Sequence, residues 1–118
     1  MEINIYEGGE IPMKLGIVLY SNDPETAWNA FRFGVFALAQ GDEVKIFLLG
    51  KGVESLNLKH ERFNVQEQLS LFLENGGELV ACGVCLEVRN SKDGATCPVG
   101  SMNDLYELVI WADRVVSF

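Results

Sequence analysis

The chain has little basic charge and no long apolar run. Its 118 residues carry nine Lys and Arg against seventeen Asp and Glu, which gives a formal net charge of −8. Binding to nucleic acid or to an anionic membrane surface requires a basic face, so this balance argues against both as partners. No apolar stretch approaches the length needed to span a bilayer. The composition therefore favours a globular domain that does not depend on nucleic acid or lipid.

An export signal is also missing from the sequence. Residues 1–13 are acidic and lack the positive segment and apolar core of a signal peptide. Three cysteines, an odd number, then favour thiols in a reducing cytoplasm over a disulfide framework. The length suits a single domain. The breakers Gly8, Gly9 and Pro12 predict that residues 1–12 form an N-terminal extension before one domain over residues 13–118.

Histidine and recognisable cofactor motifs are scarce. His60 is the single histidine, which leaves no basis for a Ser-His-Asp triad. The loops Gly50-Lys51-Gly52 and Ser21 to Pro24 match neither a P-loop nor a dinucleotide fingerprint, and we interpret them as turns and a helix cap. The carboxylates are scattered over predicted helix surfaces. The sequence therefore predicts no cofactor and no resident metal.

Apolar runs alternate with amphipathic segments along the chain. The runs predict strands at Met13–Tyr20, Glu43–Leu49, Glu78–Ala81 and Arg114–Phe118, with a weak edge strand at Ala95–Val99 because of Pro98. Between them, the periodicity predicts helices at Pro24–Gln40, at Asn64–Asn75 and from Ser101 to Ala112, with short helices at Val53–Leu58 and Cys85–Arg89. This alternation is typical of an α/β fold whose mainly parallel sheet is covered on both faces.

The first helix has an unusually apolar surface. Its main stripe is predicted to contain Trp28, Phe31, Val35 and Leu38, while Phe33, Phe36 and Ala37 extend the apolar surface beyond that stripe. A helix that is apolar on nearly all sides is usually buried on more than one side. In a small domain this pattern predicts an interface between subunits.

The segment Cys82-Gly83-Val84-Cys85 carries the main candidates for chemistry. It follows a predicted strand, where α/β proteins place ligands and reactive groups. The pair suits thiol redox chemistry or sulfur transfer through a persulfide on Cys82, because one reactive thiolate serves both. A zinc site would need Cys97 and His60 as further ligands. Alternatively, each cysteine is a small buried hydrophobic residue.

The position of the two thiols argues against a thioredoxin fold. Thioredoxin motifs occur early in the chain, whereas Cys82 and Cys85 follow two predicted βα units. Pro98 is the only later proline, and it lies thirteen residues beyond Cys85. Arg89 follows closely and is either a stabilising cation for an anionic sulfur or a solvent-facing side chain.

The order of elements resembles the DsrE/DsrF/TusD-like sulfur-relay family. The resemblance covers about residues 13–118 and rests on Ala81-Cys82 at a strand end, Cys85, the helix from Asn64 to Asn75, and the ending from Asp113 to Phe118. It implies a three-layer α/β/α sandwich with about five strands, assembled as a trimer or hexamer. In family members that relay sulfur, a cysteine at the end of the third strand accepts a persulfide, and Cys82 corresponds to it.

The resemblance implies a cytoplasmic sulfur carrier of sulfurtransferase type. In this interpretation Cys82 is the persulfide-bearing nucleophile, and donor and acceptor proteins supply and remove the sulfur. Cys85 is either a helper that releases the sulfur by forming a disulfide with Cys82, or a bystander. The alternative is a noncatalytic oligomeric binding or scaffold module with structural cysteines. A thiol redox protein and a zinc-binding protein are further alternatives.

Overall fold

A computed structural model describes residues 12–90 and 97–118 of the chain. It contains a five-stranded sheet, four α-helices and a 3₁₀ segment. In chain order these elements are β1 (Lys14–Leu19), α1 (Pro24–Ala39), β2 (Glu43–Leu48), the 3₁₀ segment (Gly50–Asn57), α2 (Val65–Glu74), β3 (Glu78–Cys82), α3 (Gly83–Val88), β4 (Val99–Gly100), α4 (Met102–Trp111) and β5 (Arg114–Ser117).

The sheet is parallel throughout and has the strand order β4-β3-β2-β1-β5. Helices cover both of its faces. On the α1 side, a Cβ added at Gly34 would lie 2.9 Å from the ring of Phe72. On the other side, one added at Gly16 would lie 2.5 Å from the side chain of Leu108 in α4. The predicted three-layer α/β/α sandwich is confirmed.

The helix starts follow from the capping residues. Asp23 accepts a hydrogen bond from the backbone N–H of Thr26 at 2.9 Å, and Asn64 accepts one from that of Glu67 at 3.0 Å. At α4, Ser101 and the third helical residue form a reciprocal capping box. These side chains satisfy amides that the first turn of a helix leaves without partners. Local sequence alone therefore fixes where the three longer helices begin.

The buried stripe of α1 differs from the predicted one. Its buried positions are Ala27, Ala30, Phe31, Gly34 and Ala37. The predicted residues Trp28, Val35 and Leu38 are only partly buried and pack at the margin of the core. Small side chains occupy the centre because α1 approaches the sheet and α2 closely, as the contact between Gly34 and Phe72 requires.

Several large apolar residues on α2 and α4 are exposed. On α2, Leu73 has 45% of its surface accessible, and on α4, Val109 has 49%. Only Val65, Leu69 and Phe72 of α2 are buried. On each of these helices, the stripe of buried residues is narrower than the stripe of apolar residues. The outer apolar side chains are therefore exposed in this chain.

Two element boundaries also need correction. The fourth strand comprises Val99–Gly100 and pairs with Ala81 and Cys82, whereas the predicted strand was Ala95–Val99. It begins after Pro98, which has no N–H to donate, and it lies at the sheet edge as that proline predicts. The short helix expected at Val53–Leu58 is the 3₁₀ segment Gly50–Asn57.

Part of the sequence interpretation lies outside the described residues. The predicted extension over residues 1–12 falls there except for Pro12, as do residues 95 and 96 of the predicted strand. Within residues 12–90 and 97–118, no helix is both long and apolar enough to cross a membrane.

Candidate functional site: two thiols at the end of β3

Cys82 is the last residue of β3 and the N-cap residue of α3. Its backbone is extended, with φ −63° and ψ 120°, and the chain turns into the helix at Gly83. Gly100 of β4 pairs directly with Cys82. Cys82 therefore lies at the carboxyl end of the sheet, which is where open α/β folds bind ligands.

Both thiols line one cavity of about 540 Å³. Its walls are formed by the end of β3 and by α3, with further residues from just after β2, from β4 and from the start of α4. They comprise Leu49, Cys82, Gly83, Val84, Cys85, Glu87, Gly100, Ser101 and Met102. Cys82 is only 4% exposed, and it is one of the residues that line this cavity. A water molecule takes about 30 Å³ in the liquid, so the cavity has room for much more than one added sulfur atom.

The start of the 3₁₀ segment contacts the second thiol directly. The backbone N–H of Gly50 donates a hydrogen bond to Sγ of Cys85 at 3.1 Å. Gly50 has a φ of 57°, in the left-handed region that favours glycine. The sequence analysis interpreted Gly50-Lys51-Gly52 as a turn and missed this contact. Every residue except proline has a backbone N–H group, so the sequence does not reveal which of them donates to a thiol.

A hydrogen-bonded ion pair anchors the turn that carries Cys85. Nε of Arg89 lies 2.7 Å from Oε2 of Glu54, on the 3₁₀ segment. The guanidinium also donates through Nη1 to the carbonyl oxygen of Cys85 at 3.1 Å. Asn22 donates to the other Glu54 oxygen at 3.1 Å. Arg89 was considered from the sequence as a neighbour of the thiols, and the structure places its contact at the Cys85 backbone.

The surroundings change the acidity of Cys85. Burial raises the pKa of the Cys85 thiol, and the hydrogen bond with the Cys82 side chain and the charge on Cys82 raise this pKa further. The amide of Gly50 and the cation of Arg89 act in the opposite direction. The net effect is a raised pKa, so Cys85 remains mostly protonated at neutral pH and can donate its S–H hydrogen to the Cys82 sulfur.

The ion pair also affects Glu54. The hydrogen bond from Arg89 is the main cause that lowers the pKa of this carboxyl group, followed by the hydrogen bond from Asn22. Glu54 is therefore negatively charged near neutral pH, and its ion pair with Arg89 is present there.

Cys97 and His60 take no part in this cavity. Cys97 is 4% exposed, and its sulfur lies 3.4 Å from the carbonyl oxygen of Pro98 and 4.0 Å from that of Leu79. Nδ1 of His60 accepts hydrogen bonds from the backbone N–H groups of Arg62 and Phe63, each at 3.2 Å. The described residues contain no group of three or more His, Cys, Asp or Glu side chains that fits a metal ion. In the described residues, Cys97 and His60 therefore do not join Cys82 and Cys85 in a zinc site.

A second cavity, of about 630 Å³, lies beside α1. Its apolar walls are Phe33, Phe36 and Phe118, and its polar rim includes Asn29 and Arg32. Phe36 has 61% of its surface exposed and Phe33 has 41%. No cysteine is among the residues that line this cavity.

Comparison with known proteins identifies the family. The model of the DsrE/DsrF-like family matches residues 13–118. The chain belongs to the DsrE/DsrF-like family. The resemblance inferred from the strand-end cysteine and the order of elements is therefore confirmed, and it places the chain in a family of the sulfur-relay type.

Relatives of this DsrE-like chain occur among archaea. It is 34% identical over 100 residues to an uncharacterized protein of Methanopyrus kandleri, covering 80% of this chain and 83% of that protein. It is 35% identical over 102 residues to an uncharacterized protein of Methanocaldococcus jannaschii, covering 80% and 88%. A solved structure of a conserved protein of unknown function from Bacteroides thetaiotaomicron superposes with a TM-score of 0.71 at 21% identity, covering 89% of this chain and 94% of that one. The last likeness supports the fold.

Proposed function

We propose that this DsrE-like protein is a sulfur carrier that holds a persulfide on Cys82. The observation that carries the proposal is the shared cavity, into which β3 and α3 bring both Cys82 and Cys85. A strand-end thiol inside a cavity suits a bound sulfane sulfur, because the walls keep competing thiols and oxidants away from it. Membership of a sulfur-relay-type family supports the same chemistry.

Loading is a thiol exchange at the Cys82 sulfur. The Cys82 thiolate attacks the outer sulfur of a donor persulfide, a new S–S bond forms, and the S–S bond of the donor breaks. The donor leaves as a thiolate, and the transferred sulfur keeps its oxidation state. The Cys85 S–H group, which hydrogen-bonds the Cys82 side chain, stabilises negative charge on the attacking sulfur.

Release proceeds by one of two balanced steps. An acceptor thiolate attacks the outer sulfur, takes it as a new persulfide and restores the Cys82 thiolate. In the other step, the Cys85 thiolate attacks Cys82 Sγ and expels the outer sulfur as hydrosulfide. The outer sulfur is then reduced, the two cysteines are oxidised to a disulfide, and an external dithiol reduces the pair again.

The proposal includes a cellular setting and partners. Three cysteines in the thiol form suit the reducing cytoplasm. Transfer in both directions calls for donor and acceptor proteins, and the chain acts as a carrier more than as a turnover enzyme. We further propose a homo-oligomer, a trimer or a hexamer, with the exposed phenylalanines of α1 at the contact between subunits.

Intact mass spectrometry tests the carrier function. After incubation with polysulfide, or with a cysteine desulfurase and cysteine, the wild-type protein is expected to gain the mass of one sulfur atom. Cys82→Ser should abolish the gain. Cys97→Ser is the matched control, since Cys97 lies outside the cavity, and it should load like the wild type. A wild-type protein that gains no sulfur would contradict the proposal.

A noncatalytic oligomeric module is the second candidate function. It is favoured by the exposed Phe33 and Phe36 beside the second cavity and by the low exposure of Cys82, 4%. The rate of Cys82 alkylation in a Cys85→Ser, Cys97→Ser background separates the two candidates. A carrier thiol is expected to react faster than the same cysteine in an unfolded peptide, whereas a packed structural cysteine reacts more slowly.

A further inference from the structure

The turn that carries Cys85 is fastened to the 3₁₀ segment at two points. At one end, the Gly50 N–H donates to Sγ of Cys85 at 3.1 Å. One helical turn further on, Arg89 donates to the carbonyl oxygen of Cys85 at 3.1 Å and pairs with Glu54 at 2.7 Å. The second thiol is therefore held by a neighbouring element, across 35 residues of sequence.

We propose that Arg89, held in place by Glu54, is the positioning residue that allows Cys85 to resolve the Cys82 persulfide. This inference rests on the proposed carrier function and assigns control of the release step. Arg89 touches the backbone of Cys85 and not the reacting sulfurs. It acts by orienting the turn and by placing a positive charge close to the sulfur on which negative charge must develop.

The local charges explain why such a residue is needed. Burial and the neighbouring Cys82 both keep Cys85 protonated, while only a thiolate attacks a persulfide. Arg89 and the Gly50 amide are the groups that favour the thiolate. Glu54 pairs with Arg89 from the 3₁₀ segment, the charge of Lys51 acts on Glu54, and Glu87 adds a negative charge at the cavity wall. Arg89 is therefore the cation fixed by direct contact to the turn of Cys85.

The resolving step forms one sulfur–sulfur bond and breaks another, both at Cys82 Sγ. The Cys85 proton leaves to solvent, the Cys85 thiolate forms a bond to Cys82 Sγ, and the bond from that sulfur to the outer sulfur breaks. The outer sulfur departs with the electron pair of the broken bond and takes up a proton from solvent, so that it leaves as hydrosulfide. The two cysteines remain as a disulfide until a dithiol reduces them.

Thiol titration tests the positioning role without any persulfide. In a Cys82→Ser, Cys97→Ser background, the pH dependence of Cys85 alkylation is expected to move to higher pH with Arg89→Gln. Arg89→Lys keeps the positive charge but not the planar guanidinium. Its alkylation profile should therefore lie between that of Arg89→Gln and that of the protein with Arg89 intact. Glu78→Gln is the matched control, because it removes a different ion pair, 3.9 Å from Lys45, at the far end of β3. An unchanged profile in folded Arg89→Gln would overturn the proposal.

Hydrosulfide release from persulfide-loaded protein is the second measurement, with Cys82 restored and Cys97→Ser kept. Arg89→Gln is expected to load sulfur normally and to release hydrosulfide about two- to fivefold more slowly, as one partly screened charge interaction implies. Glu54→Gln should give a rate between those of wild type and Arg89→Gln, and a wild-type rate would remove Glu54 from the proposal. If wild type does not load at all while the titration still shifts, the carrier function fails and the positioning of Cys85 stands.

Discussion

The backbone N–H of Gly50 donates a hydrogen bond to Sγ of Cys85 at 3.1 Å. This contact joins the 3₁₀ segment to α3, and it holds the second thiol of the cavity in place. It also makes Cys85 a structural acceptor, so that its replacement affects stability as well as chemistry.

Replacing Cys85 is expected to separate these two effects. Cys85→Ala leaves the partly buried Gly50 N–H without an acceptor and should lower the free energy of unfolding by about 1–3 kcal/mol. Cys85→Ser keeps a hydrogen-bonding oxygen at that position and should cost less. Urea denaturation of both variants measures the difference. Equal losses would show that the hydrogen bond contributes nothing to stability.

Gly52 is expected to be the glycine of the 3₁₀ segment that least tolerates replacement by a residue with a side chain. A Cβ added there would lie 1.9 Å from the carbonyl oxygen of Leu19, so the backbone itself must move. We expect Gly52→Ala to lower the free energy of unfolding by about 3 kcal/mol or more.

Gly41→Ala provides the control for that substitution. Gly41 has a φ of 95° and no atom within 4 Å of an added Cβ, so only backbone strain opposes the change. That strain amounts to about 1–2 kcal/mol. Denaturant unfolding of the pair compares the two mechanisms, and a Gly52→Ala loss no larger than that of Gly41→Ala would refute the steric interpretation.

Acid is expected to weaken the cap of α1. Hydrogen bonds from the backbone and side chain of Thr26 lower the pKa of Asp23 below its usual value of 3.8. A carboxyl group with a lowered folded-state pKa contributes stability above its unfolded pKa and loses it as the pH falls through the folded value. The contribution of Asp23 is therefore complete near neutral pH and disappears below about pH 4.

Asp23→Asn tests this dependence, because Asn caps helices about as well as Asp but does not titrate. Thermal unfolding followed from neutral pH into this acidic range should show a shallower loss of stability for the variant than for the wild type. Parallel curves would show that Asp23 contributes no pH dependence.

Self-association is expected through the aromatic surface of α1. Phe36 and Phe33 expose 61% and 41% of their surfaces beside Phe118. Multi-angle light scattering should return a trimer or a hexamer at micromolar concentration, and Phe36→Ser should shift the population toward smaller species. Leu73→Ser, at an exposed position on α2, is the control. A wild-type monomer would contradict the expectation.

Sequence patterns predicted the features that depend on neighbouring residues. The caps at Asp23, Asn64 and Ser101 act within three residues, and the predicted starts of the three long helices lie at or beside them. The edge position of the fourth strand followed from Pro98 in the same way. Residues 13–118 also held enough of the order of elements to reveal the family.

Features that depend on packing between distant segments were not predictable from periodicity. The centre of α1 is lined by Ala30 and Gly34, where hydrophobicity alone favours larger neighbours such as Trp28 and Val35. The site shows the same limit. Cys82 and Cys85 were predicted as a pair from their spacing, whereas the Gly50 contact depends on a loop 35 residues away. No side chain signals that contact.

The shortness of β4 has a consequence for the wall of the cavity that Cys82 lines. This strand has two residues, and its pairing with β3 covers only Ala81 and Cys82. Short edge pairings open at a lower free-energy cost than the interior of a sheet. In native-state hydrogen exchange, we expect the amide of Ala81, bonded to the carbonyl of Pro98, to exchange before that of Ile46 in the central strand. Each such opening would briefly loosen the cavity wall at Gly100, which pairs with Cys82.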